Sequence, residues 1–291
     1  MFCAHFLFEP IPATLETLSL YAQFLTRSFR SVESVKNYLS GVKLLHTMTD
    51  TPCPYFGSHE LRMALRGMAR MKPHCPKQAA PITPQILAAI LNTLDLQDNV
   101  EHIVMWALFV TAFFTLARKS NLVLSTNNKG KQIKRQDILL AQDSMLVRFR
   151  WTKTIQFGQK VLEVPLLKMP QSKLCPVRAC QRMIKAVPAR PQDSAFSLPR
   201  PWGIAPVTYD HFQQFLKSKI QEIGLDASLF SSHSFRRGGA TWAFKVGVRG
   251  ELIQVQGDWL SDAYTRYIDF SLEERLSVAH NMSRAIAEMS L

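Results

Sequence analysis

Apolar side chains recur at helical spacing through the first part of the chain. Leu15, Leu18, Tyr21, Ala22 and Leu25 share one face of "TLETLSLYAQFLTRS", which predicts a helix from Thr14. "SVESVKNYLSGVKLLHTMTD" opens on a capping serine, Ser31 or Ser34, and carries Val35, Leu39, Val42 and Leu45 at the same period. A third helix is predicted in "SHELRMALRGMARMK", capped by Ser58, with Leu61, Ala64, Leu65 and Met68 on its apolar side and Met63, Met68 and Met71 read as packing residues. "MKPHCPKQAAPITP", residues 71–84, then holds four prolines and reads as an extended connection.

Beyond it the period stays helical. "TPQILAAILNTLD" has proline at an early helical position, and Ile103–Ala117, "IVMWALFVTAFFTLA", is apolar all round, as a buried core helix is. The pattern changes in "DSMLVRFRWTKTIQFGQKVLEVPLL", where Val147, Phe149 and Trp151 alternate with Leu146, Arg148 and Arg150. Two or three antiparallel strands are predicted here, with Lys153 and Thr154 near a turn and a break at Phe157 and Gly158. Helical patterns return at about 176–187, 207–223, 234–247 and 271–288. The expected fold is therefore mainly α with a small antiparallel β-sheet, an α+β architecture. The expected division is a helical domain over 1–75, a proline-rich linker over 76–84 and a larger domain over 85–291.

Composition narrows the function. Lys plus Arg number 35 against 22 Asp plus Glu, a formal net charge of +13, and such a balance favours a polyanionic partner, nucleic acid or an anionic membrane. The 103–117 run is shorter than the roughly 20 residues a bilayer requires and ends on Arg118 and Lys119. The start "MFCAHFLFEPIPATLE" has no basic leader and is interrupted by Pro10 and Pro12, so no secretory signal is expected and an intracellular location is. The five cysteines are scattered without paired C-x-x-C spacing, which predicts reduced thiols and neither a disulfide framework nor a zinc site.

His233 and Arg236, three apart in "SSHSFRRGGATWAFKVGV", share a helix face, which by itself fits a capping histidine and a paired arginine in any protein. Four elements, the pair's own among them, give it a context. In chain order they are "LARKSNL" with Arg118, "WTKT" with Lys153, "HSFRRGGAT", and "GDWLSDAYTRY" with Trp259 and Tyr267. That order resembles the tyrosine recombinase, or phage integrase, family, and "HSFRRGGA" followed by "GDWLSDAYTRYI" looks most like recombinases of eukaryotic mobile elements, the Crypton and DIRS-like groups. "TLETLSLYAQFL" and "SVKNYLSGVKLLH" look like the family's helical core-binding domain, so the resemblance covers most of the chain. It implies a core-binding domain over 1–75 and a catalytic recombinase domain over 85–291. The two would close around double-stranded DNA, with several protomers, a tetramer, assembled on it and with the nucleus as the site of action. It also implies a chain that starts slightly inside the family's first domain.

The resemblance implies catalytic roles for Arg118, Lys153, His233, Arg236, Trp259 and Tyr267. Tyr267 would be the nucleophile, forming a 3′-phosphotyrosine that conserves the energy of the backbone bond. Its phenol, with an ordinary pKa near ~10, needs cationic surroundings and a base. Arg118 and Arg236 would grip the non-bridging oxygens in forked geometry, so that neither a divalent metal nor a cofactor is expected. Lys153 would protonate the leaving 5′ oxygen, with Lys160 as the alternative, and His233 would assist the tyrosine's proton transfer. Trp259 would offer its indole N–H to the phosphate.

Departures from the family pattern are specific. Asp258 follows Gly257 where many members have histidine, which leaves the His/Trp position open between Asp258 and Trp259; repulsion between a carboxylate and a phosphate favours Trp259. Asn121 stands where an acidic residue often follows, removing a buttress for Arg118. Tyr264 is the rival nucleophile. Arg62, Arg66 and Arg70 form a stripe four residues apart, and together with Lys36, Lys43, Lys129, Lys131, Lys134, Arg135 and Arg237 they are the candidates for DNA-backbone contact. The alternative functions are a domesticated, catalytically inactive DNA-binding protein of the same fold, a tyrosine-type topoisomerase, and a helical protein-interaction module.

Overall fold

The computed structural model describes residues 2–74, 78–125, 130–268 and 272–288. Lys129 and Cys75 therefore lie outside the described residues, as does part of the predicted linker. The chain forms two compact units, Met1–Lys77 and Gln78–Leu291.

In the first unit a short helix α1 (Phe2–Phe6) precedes α2 (Leu15–Ser28), α3 (Val32–Met48) and α4 (His59–Met71). The three longer helices start where the sequence supplies a hydroxyl cap: Thr14, Ser31 and Ser58 each accept a backbone N–H of the first turn. Their apolar faces meet in a core of Leu18, Ala22, Leu25, Val35, Leu39, Leu61 and Met68. Met68 is buried as expected, but Met63 and Met71 are exposed. His46 is buried in this core with both ring nitrogens satisfied: Nδ1 donates to the Val42 carbonyl at 2.8 Å and Nε2 accepts the Ala13 N–H at 2.9 Å.

In the second unit α5 (Pro84–Asn92) leads into α6 (Val100–Thr115), whose residues are almost all buried. Around α6 are placed α7 (Lys119–Leu122), strands β1 (Ile138–Leu140), β2 (Ser144–Phe149) and β3 (Leu162–Leu167), and helix α8 (Pro176–Ala186). A hairpin of β4 (Ser197–Arg200) and β5 (Gly203–Pro206) follows, then helices α9 (Tyr209–Glu222), α10 (Ser232–Lys245), α11 (Gly250–Gln256) and α12 (Leu272–Ala287). The three-stranded sheet is antiparallel in the order β1-β2-β3, with Val147 opposite Val164 and Ile138. Met145, Val147 and Phe149 form its buried face, the alternation the sequence predicts. Phe109 of α6 packs on Phe212 of α9 and Phe235 of α10, fixing these helices on one core.

No helix among the described residues is long and apolar enough to cross a membrane. On α12, Leu272, Leu276, Val278, Met282 and Ile286 are all exposed.

The paired glycines of "RRGGAT" have a steric purpose. A Cβ at Gly238 would stand 1.8 Å from the Ile82 carbonyl oxygen, and one at Gly239 would stand 2.2 Å from that of Phe113. Backbone therefore presses on backbone where α10 crosses the end of α6, and this close approach seats Arg236 beside that end. Gly239→Ala is expected to destabilise the protein by about 1–3 kcal/mol, since the nearest obstructing atom, the Phe113 carbonyl oxygen, is main chain and cannot rotate away, and the Leu116 side chain crowds the same position. Gly41→Ala on α3, where a Cβ meets nothing within 4 Å, is the contrasting control and is expected to be neutral or stabilising. Urea unfolding of the two variants measures the difference.

Candidate active site

The site is built where α6 ends. Leu116 follows the helix in left-handed backbone, φ 53°, which turns the chain so that Arg118 caps α7. Ser231 and Ser234 form a reciprocal capping box that opens α10, placing His233 in its first turn and Arg236 one turn on. Phe235 and Ala240 bury the same helix, and Arg236 goes inside with them, only 2% exposed.

Burying a guanidinium requires partners. Arg236 donates through Nη1 to the Leu116 carbonyl and through Nη2 to the Gly257 carbonyl at 2.6 Å. Its guanidinium carbon stands 3.6 Å from the centroid of the Trp259 ring and 5.5 Å from that of Tyr267, and a side-chain hydrogen bond links it to Tyr267. Nε has no partner among the described residues. Desolvation first, and the Arg118 charge second, push the arginine down to about 9, against the opposing pull of Tyr267 and Asp258. The group remains cationic at neutral pH, in surroundings that an anion would relieve.

Arg118 is held by one residue twice: Nη1 donates to Asp258 Oδ2 at 3.3 Å and Nη2 to the Asp258 carbonyl at 3.0 Å. Asp258 is itself in left-handed backbone, φ 53°, so this site contains two non-glycine residues in a region that L side chains seldom adopt. His233 has an exposed side and lies close enough to Lys119, Arg236 and Arg118 for all three to act on it. Desolvation, then these three cations, hold its pKa below the ordinary imidazole value, so it is neutral at pH 7. Lys119 in turn lies 3.5 Å over the Tyr209 ring.

Tyr267 and Tyr264 lie on one short 3-10 turn, Asp262–Tyr267, and both rings pack near Trp259, but their other neighbours differ. The Tyr267 ring lies 5.3 Å from Trp259 and reaches Arg236. The Tyr264 hydroxyl instead abuts Gly250 at the start of α11, where an added Cβ would come within 2.2 Å of it. Both rings are half-buried.

Lys153 is exposed in the β2–β3 turn, and its ammonium has no hydrogen-bond or ion-pair partner among the described residues. Lys160 is exposed further along the same connection, two residues before β3. Arg118, His233, Arg236, Trp259 and Tyr267 thus come together, and Lys153 sits on a turn tied to them through Thr152 and Thr154. Thr152 Oγ1 donates to Asp258 Oδ2 at 2.5 Å, and Thr154 Oγ1 donates to the same oxygen.

Two sequence expectations change. Asp258 does not point its charge at an open phosphate position; its carboxylate is turned onto Arg118 and two threonine hydroxyls and supplies the buttress expected to be missing. Asn121 is buried and donates to the Trp151 carbonyl at 2.8 Å, fixing the end of β2 rather than Arg118. Sequence reasoning also gave no role at the site to Lys119, Thr152 or Thr154. The only sign of the threonines was their symmetric placement around Lys153 in "WTKT".

Among the backbone-contact candidates, Arg62, Arg66 and Arg70 are all exposed on α4, opposite Leu61 and Met68. Lys43 is exposed, Lys36 is exposed and paired with Glu33 at 2.6 Å, and Lys131 is exposed with its ammonium 4.4 Å from the Trp151 ring. Lys134 is half-buried. Arg237 is half-buried and donates to Gln78 Oε1. Arg135 is a correction: it is 8% exposed, with its guanidinium folded beneath the surface near Cys180 and Asp193, so it has no reach to a duplex. Among the described residues no group of three or more His, Cys, Asp or Glu is placed to hold a metal ion.

No protein-family model and no curated protein matches the sequence. Solved structures do match the fold. A Tn1549 transposon integrase variant in complex with transposon right end DNA aligns with TM-score 0.59 at 13% identity, over 94% of this chain and 87% of that one. The XerH site-specific recombinase in a post-cleavage complex with palindromic difH substrate aligns with TM-score 0.58 at 13% identity, over 90% of this chain and 68% of that one. The XerH pre-cleavage complex aligns with TM-score 0.48 at 14% identity over 75% of this chain, which spans 63% of the XerH chain there. The architecture, mainly helical with small antiparallel sheets, is that of the tyrosine recombinase catalytic fold.

Proposed function

We propose that the protein cleaves and rejoins DNA strands through a phosphotyrosine on Tyr267, as a site-specific recombinase or integrase of a mobile element. The observation that carries this reading is the buried Arg236, in contact with Tyr267 and beside Arg118 and a neutral His233. A buried guanidinium at a tyrosine ring, with no carboxylate hydrogen-bonded to it among the described residues and a second arginine beside it, suits an incoming phosphodiester. The matched fold supports the reading, because the proteins that share it are described in complex with DNA.

In the proposed step Tyr267 Oη attacks phosphorus, a tyrosine O–P bond forms and the P–O5′ bond breaks. The phenol proton passes to neutral His233, and the departing 5′ oxygen takes a proton from the Lys153 ammonium. Rejoining reverses each transfer, so no nucleoside triphosphate is consumed. Arg118 and Arg236 stabilise the charge on the non-bridging oxygens, and these fixed cations supply what a divalent ion would otherwise provide. Trp259 stacks beneath Arg236 and holds it in place, and its indole N–H has no partner among the described residues.

Outside the reacting centre, the Arg62, Arg66 and Arg70 stripe of the first unit suits phosphate tracking along a duplex. The exposed apolar side chains of α12 support assembly of several protomers on DNA. A mobile-element origin and nuclear action rest on the resemblance of "HSFRRGGA" and "GDWLSDAYTRYI" alone.

The test is covalent capture. Wild-type protein, Tyr267→Phe and Tyr264→Phe are incubated in EDTA with nicked, partly randomised duplexes and run under denaturing conditions. Wild type and Tyr264→Phe are expected to give an SDS-resistant protein–DNA band and Tyr267→Phe none. DNA binding by all three without a band from any would instead support the inactive DNA-binding reading.

A further inference from the structure

We infer that Asp258 is a positioning residue that clamps the turn carrying Lys153 to Arg118, so that the leaving-group acid and the phosphate-gripping arginine are held in register by one carboxylate. The inference deepens the proposed function and rests on it for its chemical consequence, though the clamp itself does not.

Three donors converge on a single oxygen, Asp258 Oδ2: Arg118 Nη1 at 3.3 Å, Thr152 Oγ1 at 2.5 Å and Thr154 Oγ1. The main-chain carbonyl of Asp258 takes a second bond from Arg118, at 3.0 Å. These partners come from distant parts of the chain, Arg118 from the end of α6 and the threonines from the β2–β3 connection. On the turn side, Thr152 organises what it holds. Its Oγ1 accepts the N–H groups of Thr154 and Ile155 at 3.1 and 3.0 Å, while its own N–H donates to the Ile155 carbonyl at 3.0 Å. Lys153 lies between the two tethered threonines, exposed and with its ammonium unpartnered among the described residues. Its ammonium thus has no anchor of its own, and its location is set by the backbone on either side.

The same carboxylate explains the neighbouring departures from the family pattern. With Asn121 given over to the Trp151 carbonyl, Arg118 needs a counter-charge from elsewhere, and Asp258 supplies it from the turn after α11. The left-handed backbone at Asp258, φ 53°, directs its side chain there, and aspartate and asparagine are the non-glycine residues that tolerate such a conformation best. Asp258→Asn therefore keeps the backbone while removing the charge. Thr154→Val removes one tether from the turn side and leaves the Arg118–Asp258 pair intact.

The clamp is read by hydrogen exchange on the full chain without DNA. Both variants are expected to speed exchange at least several-fold in peptides covering 151–160, with α6 and α10 unchanged. Unaltered exchange in 151–160 would overturn the clamp. Its chemical consequence is read on nicked duplexes carrying either the normal 5′ oxygen or a bridging 5′ sulfur at the scissile phosphate, using a site recovered from wild-type adducts. Sulfur leaves as a thiolate and needs no acid. On the oxygen substrate, misplacement of Lys153 is expected to slow adduct formation roughly 100-fold in Asp258→Asn and Thr154→Val. On the sulfur substrate most of that loss is expected to be recovered in Thr154→Val, as it is for Lys153→Ala, and part of it in Asp258→Asn, where Arg118 also loses its counter-charge. A loss of equal size on both substrates would contradict the link to Lys153 and confine Asp258 to holding Arg118. Wild-type silence on both substrates would contradict the proposed function, while the exchange result still decides the clamp.

Discussion

Arg236→Met is expected to lower the rate of covalent adduct formation by about 10³-fold while leaving thermodynamic stability within about 2 kcal/mol of wild type. The two halves of this outcome have opposite physical sources. Arg236 is 2% exposed, and desolvation and Arg118 bring it down from the ordinary guanidinium value to about 9. Burial and the Arg118 charge therefore oppose the charged form substantially. Set against it are the two hydrogen bonds to the Leu116 and Gly257 carbonyls, whose loss leaves acceptors costing about 1–3 kcal/mol each. Methionine fills similar volume beneath Trp259 without the charge, so the terms nearly cancel. The activity does not survive, because the methionine offers the phosphate no donor. A structural arginine would behave the other way, with a large loss of stability. Adduct kinetics and urea unfolding on the same preparation separate the two.

His233 gives the second large effect. Its pKa lies below the ordinary imidazole value of 6.5 because of desolvation and the Lys119, Arg236 and Arg118 charges. The neutral ring is the form that accepts the tyrosine proton, so the acid limb of the rate profile belongs below pH 6.5. Wild-type adduct formation is therefore expected to reach its half-maximal rate on the acid side at a pH below 6.5. His233→Gln is expected to lose roughly 10²-fold at pH 7.5 and to lose the acid limb with it. A limb at or above pH 6.5 that persists in His233→Gln would assign the titration to another group. The same sign applies to stability: the folded state favours the neutral ring, so this residue's contribution weakens as pH falls through 6.5.

Much of the architecture was legible in the chain. Cap hydroxyls at Thr14, Ser31 and Ser58 and the apolar period behind them located the first helices, and the all-round apolar run 103–117 is the buried centre of the second unit. What escaped was short or disguised. β1 is three residues long, and β4–β5 lies in "SLPRPWGIAP", where Pro199 and Gly203 mark a loop to any reading based on propensity. Arg135 looked like part of a basic surface run, yet alternation around Ile133 turns it inward.

At the site, the order of chemical groups along the chain was readable because each sits at the start or end of an element. Their cross-links were not. Asp258 and Arg118 are 140 residues apart, and Asp258 and Thr152 are 106 apart, and no local pattern records a pairing over that distance. Asp258 looked like an intruder because its charge was weighed against a phosphate, and only the fold reveals the arginine and hydroxyls that it meets instead. Asn121 was misjudged for the same reason, since its partner is a main-chain carbonyl thirty residues on.

The most direct measurement is to locate the covalent bond. Adducts of wild-type protein with nicked duplex are digested with nuclease and protease, and the peptide carrying residual nucleotide is sequenced by tandem mass spectrometry. The account requires the nucleotide on Tyr267, the tyrosine that touches Arg236. Attachment at Tyr264, whose hydroxyl abuts Gly250, or at any other residue would contradict it.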